Sequence, residues 1–205
     1  MLADPTSAYT QNAVYALGRK MDDCIIEAAF GTSYSGKNGD TSVAFPSSQV
    51  IAANYVERGT AAASNLTIGK LRRTRYLLDK AEAANEGEAD LVIVVDPSQI
   101  QGLLATTEVT NSDYNTIKAL VAGQIDTYMG FKFIKSNRLA VASNVRDVIA
   151  WEKQGLLLAV NSDVAVDVGP RRDKRNSVQV YVQGHFNATR MWEEKVIKIQ
   201  CDETA

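Results

Sequence analysis

The chain has 205 residues, of which 45% are hydrophobic and 22% are charged, a composition typical of a folded globular protein and not of a disordered one. With 22 basic and 24 acidic residues, the formal net charge is −2, which excludes a global basic field that could hold nucleic acid. Two cysteines, Cys24 and Cys201, are too few for a disulfide scaffold, and the single histidine, His185, excludes a site with several histidine ligands.

The first predicted element is a long amphipathic helix over residues 8–30. Asp4-Pro5-Thr6-Ser7 precedes it and offers capping side chains and a proline suited to a first helical turn. Apolar residues then recur at steps of three and four from Val14 to Ala28, with charged residues between them. At ~1.5 Å per residue this helix is roughly 35 Å long, which predicts a spine against which a sheet packs.

The middle of the chain is predicted to alternate helices and strands. Gly31 ends the first helix, and residues 31–49 are rich in Gly, Ser and Asn, which predicts a loop with a short hairpin near Gly39. The elements expected after that loop are a strand at Val50–Val56, a helix from Asn65 or Thr67 to about Asn85, a buried strand at Asp90–Val95, a helix at Pro97–Leu104 and a second short helix after Ser112-Asp113.

From Ile125 onward the chain reads mostly as strands. Alternating apolar residues predict strands at residues 130–135, 164–168, 178–182 and 196–199. A charged turn, Pro170–Asn176, separates two of them. His185 is expected on a strand, facing solvent or an interface, and Glu193 and Glu194 are expected on opposite faces of a strand. The predicted class is α+β: a spine helix, an inserted α/β unit and a strand-rich return.

One segment has the spacing of a nucleotide-binding loop. Gly31, Gly36 and Lys37 match a Walker A loop, but Asn38 stands where a Ser or Thr must coordinate Mg²⁺. The loop also follows a helix, whereas a phosphate-binding loop joins a strand to a helix. A glycine-rich solvent loop is therefore the preferred interpretation, and a P-loop-like nucleotide-binding protein is the alternative from a different class.

Two basic clusters are candidate sites for a subunit interface or for contact with nucleic acid. Arg72, Arg73 and Arg75 lie on the predicted middle helix. The second cluster, Arg171, Arg172, Lys174 and Arg175, lies in the charged turn, where Asp173 dilutes its charge. The balanced net charge favours a solvated surface or an interface over a dedicated nucleic-acid site.

Several segments together resemble the major capsid proteins of tailed bacteriophages, which have the HK97-type coat fold. They are residues 2–9, 16–23, 28–32, 128–139 and 188–196. The resemblance implies a peripheral domain formed by residues 1–51 and 128–205, and an axial α/β domain formed by residues 52–127. It also implies exposed contact residues such as Tyr34, Phe45 and Trp192. The N-terminal arm and extended loop that normally precede the spine helix in this family are not found in the sequence.

The function implied by the resemblance is assembly, with no catalysed reaction and no cofactor. Copies of the chain would form pentamers and hexamers of an icosahedral head that encloses double-stranded DNA, with portal and scaffolding proteins as further partners. A bacterial nanocompartment shell protein is the nearest alternative. No apolar run approaches the ~18 residues of a membrane span, and no signal peptide is recognisable, so we expect assembly in the bacterial host cytoplasm and a final location in the virion.

Overall fold

The computed structural model of the chain describes residues 5–83, 90–105 and 127–204. Its helices are α1 (Pro5–Phe30), α2 (Ile68–Lys80) and α3 (Pro97–Ala105). The predicted spine helix is confirmed as α1, and the Thr67 side chain caps α2 by accepting a hydrogen bond from the Lys70 backbone N–H. The helix predicted after Ser112-Asp113 lies outside the described residues. No helix in the described ranges is long and apolar enough to cross a membrane.

The described strands include the predicted ones and three that were not predicted, at residues 127–128, 141–142 and 145–152. In chain order they are β1 (Ser33–Ser35), β2 (Thr41–Val43), β3 (Val50–Ile51), β4 (Leu91–Val95), β5 (Thr127–Tyr128), β6 (Phe131–Lys135), β7 (Val141–Ala142), β8 (Val145–Glu152), β9 (Leu156–Arg171), β10 (Ser177–Arg190) and β11 (Val196–Asp202). The predicted strand at Val50–Val56 is much shorter than expected, because the chain turns after Ile51. Glu193 and Glu194 lie in a short 3₁₀ turn between β10 and β11 and not on a strand.

A mixed seven-stranded sheet carries the main core. Its order is β3-β11-β8-β4-β6-β5, with β7 added to β8. The pairs β3–β11 and β4–β6 are parallel, whereas β11–β8 and β8–β4 are antiparallel. Apolar side chains of β4, β8 and β11 are completely or almost completely buried, among them Ile93, Ala150 and Ile197, and Leu71 and Leu78 of α2 belong to the same core.

The second layer is a long hairpin packed against the spine helix. Strands β9 and β10 pair in antiparallel fashion over nearly their whole length, with register irregularities around His185. The helix α1 packs chiefly on β10 and less on β9. As a result, alternate residues of β10 from Val180 to Phe186 are half-buried, whereas Val160, Val166 and Val168 of β9 remain exposed.

The predicted domain boundary stays a prediction. Strand β4 comes from the segment assigned to the axial domain, and its sheet neighbours β6 and β8 come from the segment assigned to the peripheral domain. The described sheet therefore draws on both segments.

The nucleotide-binding alternative is wrong about the loop that it depends on. Gly31 ends α1, and the residues that follow form β1 and the turn of a small hairpin with β2. The hairpin predicted near Gly39 is thus confirmed. Lys37 is exposed on its turn, and the next elements are β2 and a short 3₁₀ turn. A phosphate cradle needs a helix N-terminus after the loop, and this segment does not provide one.

Candidate assembly surfaces

The basic cluster on α2 is largely neutralised by its own neighbours. Arg72 donates to Glu57 at 3.0 Å, and Arg75 makes two hydrogen bonds to Asp79, one turn further along the helix. The Arg73 guanidinium lies 5.1 Å from the centre of the Tyr76 ring, within the range of a cation–π interaction. This face of α2 is therefore a mixed polar and aromatic surface and not a concentrated positive patch.

The second basic cluster forms the tip of the β9–β10 hairpin. Arg171 makes a bidentate pair with Asp173 at 2.9 and 2.8 Å. Arg172, Lys174 and Arg175 are exposed and make no ion pair with any other described residue. Arg175 and Asn176 have φ values of 53° and 59°, so the left-handed backbone of the turn holds the tip in a defined shape. The two predicted clusters lie on different elements and differ in how much unpaired charge they present.

The base of the same hairpin carries an acidic and apolar surface, which we call the root patch: Met191, Trp192, Glu193 and Glu194. Met191 is 52% exposed and Trp192 is 60% exposed. Neither glutamate forms an ion pair within the described ranges, although Glu193 interacts electrostatically with Arg190. A large exposed tryptophan is among the side chains enriched at the energetic centres of protein interfaces.

A buried arginine fixes the hairpin to the end of the spine helix. Arg190 is 3% exposed and donates to the carbonyl oxygens of Ala29, Gly31 and Val43 at 2.8 to 3.2 Å. Burial lowers the pKa of this guanidinium, and its positive charge complements the negative C-terminal end of α1. The guanidinium also lies 5.2 Å from the Phe45 ring centre.

The exposure predicted for three aromatic residues is confirmed for two of them. Tyr34 is 68% exposed and Trp192 is exposed on the root patch. The prediction is wrong for Phe45, which is half-buried because it packs edge-on against Phe30, with 5.4 Å between the ring centres, and under Arg190. Phe45 therefore contributes to packing within the chain and not to an exposed contact surface.

A second buried cation organises the loop between β3 and α2. The Lys70 side chain is completely buried, and its ammonium donates to the carbonyl oxygens of Ala53, Ser64, Asn65 and Gln200 at 2.6 to 3.1 Å. Burial lowers the pKa of Lys70, while four carbonyl dipoles face its charge. This arrangement holds the irregular segment of residues 52–67 against β11.

Ion pairs link the sheet to the other layer and to the end of the described chain. Arg138, between β6 and β7, pairs with Asp23 of α1 through two hydrogen bonds, which lower the pKa of Asp23. Arg146 on β8 pairs with Glu203 and lies 3.5 Å from Asp96, and the hydrogen bond to Arg146 lowers the pKa of Glu203. These ion pairs fix α1 and the end of the described chain to the seven-stranded sheet.

Sequence reasoning missed the buried cations, although one signal was available. Lys70 directly precedes the apolar Leu71 and lies eight residues, about two helical turns, before the apolar Leu78, so it occupies the buried side of α2. Arg190 has no comparable signal, because its partners lie about 150 residues earlier in the chain. In the described part of the chain, no group of three or more acidic, cysteine or histidine side chains is arranged to hold a metal ion.

Comparison with known proteins gives a consistent result over the whole chain. A family model described as "Phage capsid protein" matches residues 1–203. No curated protein sequence matches significantly. Among solved structures, one from Mycobacterium phage Che8 aligns over 97% of this chain and 63% of its own, with 16% identity and a TM-score of 0.63.

Two further solved structures give similar values. A capsid chain of cyanophage Pam1 aligns over 99% of this chain and 70% of its own, with 13% identity and a TM-score of 0.65. A capsid chain of Ralstonia phage GP4 aligns over 90% of this chain and 63% of its own, with 11% identity and a TM-score of 0.64. The chain thus spans about two thirds of the length of these proteins and shares their fold.

Proposed function

Because the chain belongs to the phage capsid protein family, we propose that it acts as a major capsid subunit that self-assembles into an icosahedral head enclosing double-stranded DNA. The observation that carries this proposal is the match over residues 1–203, together with a fold shared with phage capsid chains over nearly the whole chain. A structural role by assembly, without catalysis, follows from membership of this family. The family match also favours a phage coat over a nanocompartment shell.

The surface of the fold is consistent with this proposal. Exposed apolar side chains are numerous on α1 and on the β9–β10 hairpin, including Tyr9, Tyr15, Val160 and Val178. Isolated exposed apolar residues are normal, but a row of them along one long element is typical of a protein interface. In an assembled shell these side chains would be covered by neighbouring copies, in pentamers and hexamers.

Further partners follow from the proposed role. Scaffolding and portal proteins would act during assembly in the host cytoplasm, and the finished subunit would reside in the virion. Packaged DNA would meet the shell non-specifically through phosphate contacts. Of the two basic clusters, Arg172, Lys174 and Arg175 have the greater unpaired charge, whereas Arg72 and Arg75 already pair with carboxylates. We assign both clusters to an interface or to the lumen.

The proposal is tested by the size of the particles that the purified chain forms. Sedimentation velocity and negative-stain electron microscopy should show rings of five or six subunits or closed shells. The same measurement should be made on a version of the chain that is extended upstream by an N-terminal arm and an extended loop. It tests whether the contacts of those two parts are needed to close a shell. A protein that stays monomeric in both forms at high concentration would contradict the proposed function.

A further inference from the structure

The two ends of the β9–β10 hairpin have complementary chemistry. The tip presents Arg172, Lys174 and Arg175 without ion-pair partners among the described residues. The root patch presents Glu193 and Glu194, and the other adjacent acidic pairs that the structure describes, Asp22-Asp23 and Asp202-Glu203, each contain a residue engaged in an ion pair. The tip of the hairpin is therefore positively charged, and the root patch at its other end is negatively charged.

Within one molecule the two ends cannot meet. Strand β9 has 16 residues, and at ~3.3 Å per residue it separates the tip from the root by roughly 50 Å. Helix α1 also packs along the hairpin, and Arg190 fixes the base of the hairpin to the end of that helix. Any contact between tip and root must therefore join two copies of the chain.

The apolar parts of the two surfaces match as well. Trp192 is exposed beside the glutamates, and an arginine from another copy could stack on its indole ring while neighbouring cations pair with the carboxylates. Val178, 56% exposed, lies next to the tip and offers an apolar contact for Met191. Tryptophan and arginine are among the residues most enriched at the energetic centres of protein interfaces.

We infer that the hairpin tip of one copy docks on the root patch of a second copy, and that this head-to-tail contact is one of the interfaces of the assembled shell. The inference rests on the proposed function and specifies one of its contacts. A contact between two different surfaces is heterologous, so it repeats from copy to copy and closes into a ring when the rotation allows. Because the tip cations and Glu194 are exposed, the contact should weaken as ionic strength rises.

The test is a set of charge reversals in the full chain. The tip variant is Arg172→Glu with Lys174→Glu, the root variant is Glu193→Lys with Glu194→Lys, and the combined variant carries all four changes. Lys37→Glu with Lys135→Glu is the matched control, because both lysines are exposed on other elements. Glu194→Lys alone is a milder root variant that leaves the interaction of Glu193 with Arg190 intact. Circular dichroism checks that each variant is folded.

We expect each reversal to lower the assembled fraction, measured by sedimentation velocity, by at least about tenfold, since like charges at an interface cost several kcal/mol. The combined variant should recover most of this loss, and the control should behave like wild type. Normal assembly of the tip or Glu194→Lys variants, or no recovery in the combined variant, would overturn the inference.

A second measurement detects the contact directly. Carbodiimide coupling of a mixture of ¹⁴N- and ¹⁵N-labelled wild-type chains should yield mixed-isotope peptides that join Lys174 to Glu193 or Glu194. Their absence from assembled particles would overturn the inference while leaving the proposed function intact. Conversely, a chain that assembles neither as it stands nor in the extended form would contradict the proposed function, and the presence or absence of the cross-link in concentrated solution would then still show whether the tip meets the root patch.

Discussion

Replacing Lys70 by methionine should destabilise the fold strongly although it removes no apolar volume. Methionine fills most of the space of the lysine stem but cannot donate a hydrogen bond. Four carbonyl oxygens that now face the ammonium, from Ala53, Ser64, Asn65 and Gln200, would lose this partner in a buried site.

The expected loss in the free energy of unfolding follows from the hydrogen bonds of the ammonium group. Hydrogen bonds to a charged group contribute about 1.5–3 kcal/mol each, and three ammonium protons support three strong bonds, or roughly 4–9 kcal/mol in all. Burial of the charge offsets several kcal/mol of this sum. We therefore expect a net loss of about 3 kcal/mol in the free energy of unfolding, which for a chain of this size lowers Tm by roughly 6–12 °C.

Urea unfolding followed by circular dichroism, with a parallel thermal melt, measures this loss. Lys80→Met is the control, because Lys80 is exposed at the end of the same helix, and it should change the free energy by less than about 0.5 kcal/mol. If Lys70→Met were as stable as the control, the four carbonyl contacts would contribute nothing net, and the reasoning from the buried ammonium would be refuted.

Three further changes follow from the same structure. Arg190→Met should lower the free energy of unfolding by about 2–4 kcal/mol, because it leaves carbonyls at the end of α1 without a donor, and Arg190→Lys should recover part of this in urea unfolding. The hydrogen bond from Arg146 holds the folded-state pKa of Glu203 below its unfolded value of about 4.3. The stability that Glu203 contributes is therefore present above the unfolded pKa and is lost as pH falls through the folded pKa. Between pH 6 and 3, Tm should fall less steeply in Glu203→Gln than in wild type, and equal slopes would contradict this contribution. Burial raises the pKa of the Cys201 thiol to about 12. At pH 8 a thiol reagent should therefore label the half-buried Cys24 first and should label Cys201 only in urea. Equal labelling rates of the two cysteines in the native protein would contradict the burial of Cys201.

Secondary structure was predicted best from the sequence where the local pattern of residues agrees with the final fold. The helix α1 is specified by its apolar period, and Thr67 caps α2 as its position before an apolar run suggests. The buried run Leu91–Val95 and the charged turn between β9 and β10 were also predicted correctly. Each of these features depends on neighbours in the sequence.

Features that depend on distant partners were not predictable in the same way. Strand β8 contains Arg146 and Asp147, which break an apolar pattern, and both charges are paired across the sheet by Glu203 and Lys198. The same holds for the root patch, where Glu193 and Glu194 resemble strand residues in sequence but lie in the turn between β10 and β11. The residues that surround β8 and the root patch come from distant parts of the chain. The spacing of apolar residues and the local composition therefore do not predict these two features.

The position of β11 has a consequence for when a subunit becomes complete during its synthesis. This strand is the last of the described strands, yet it lies inside the sheet, between β3 and β8, and its partner Val50 lies almost 150 residues earlier. Gln200 of β11 also supplies one of the four carbonyls around Lys70. A nascent chain that has not yet released β11 from the ribosome therefore lacks the strand that joins β3 to β8, and the long-range pairing makes this a late folding step.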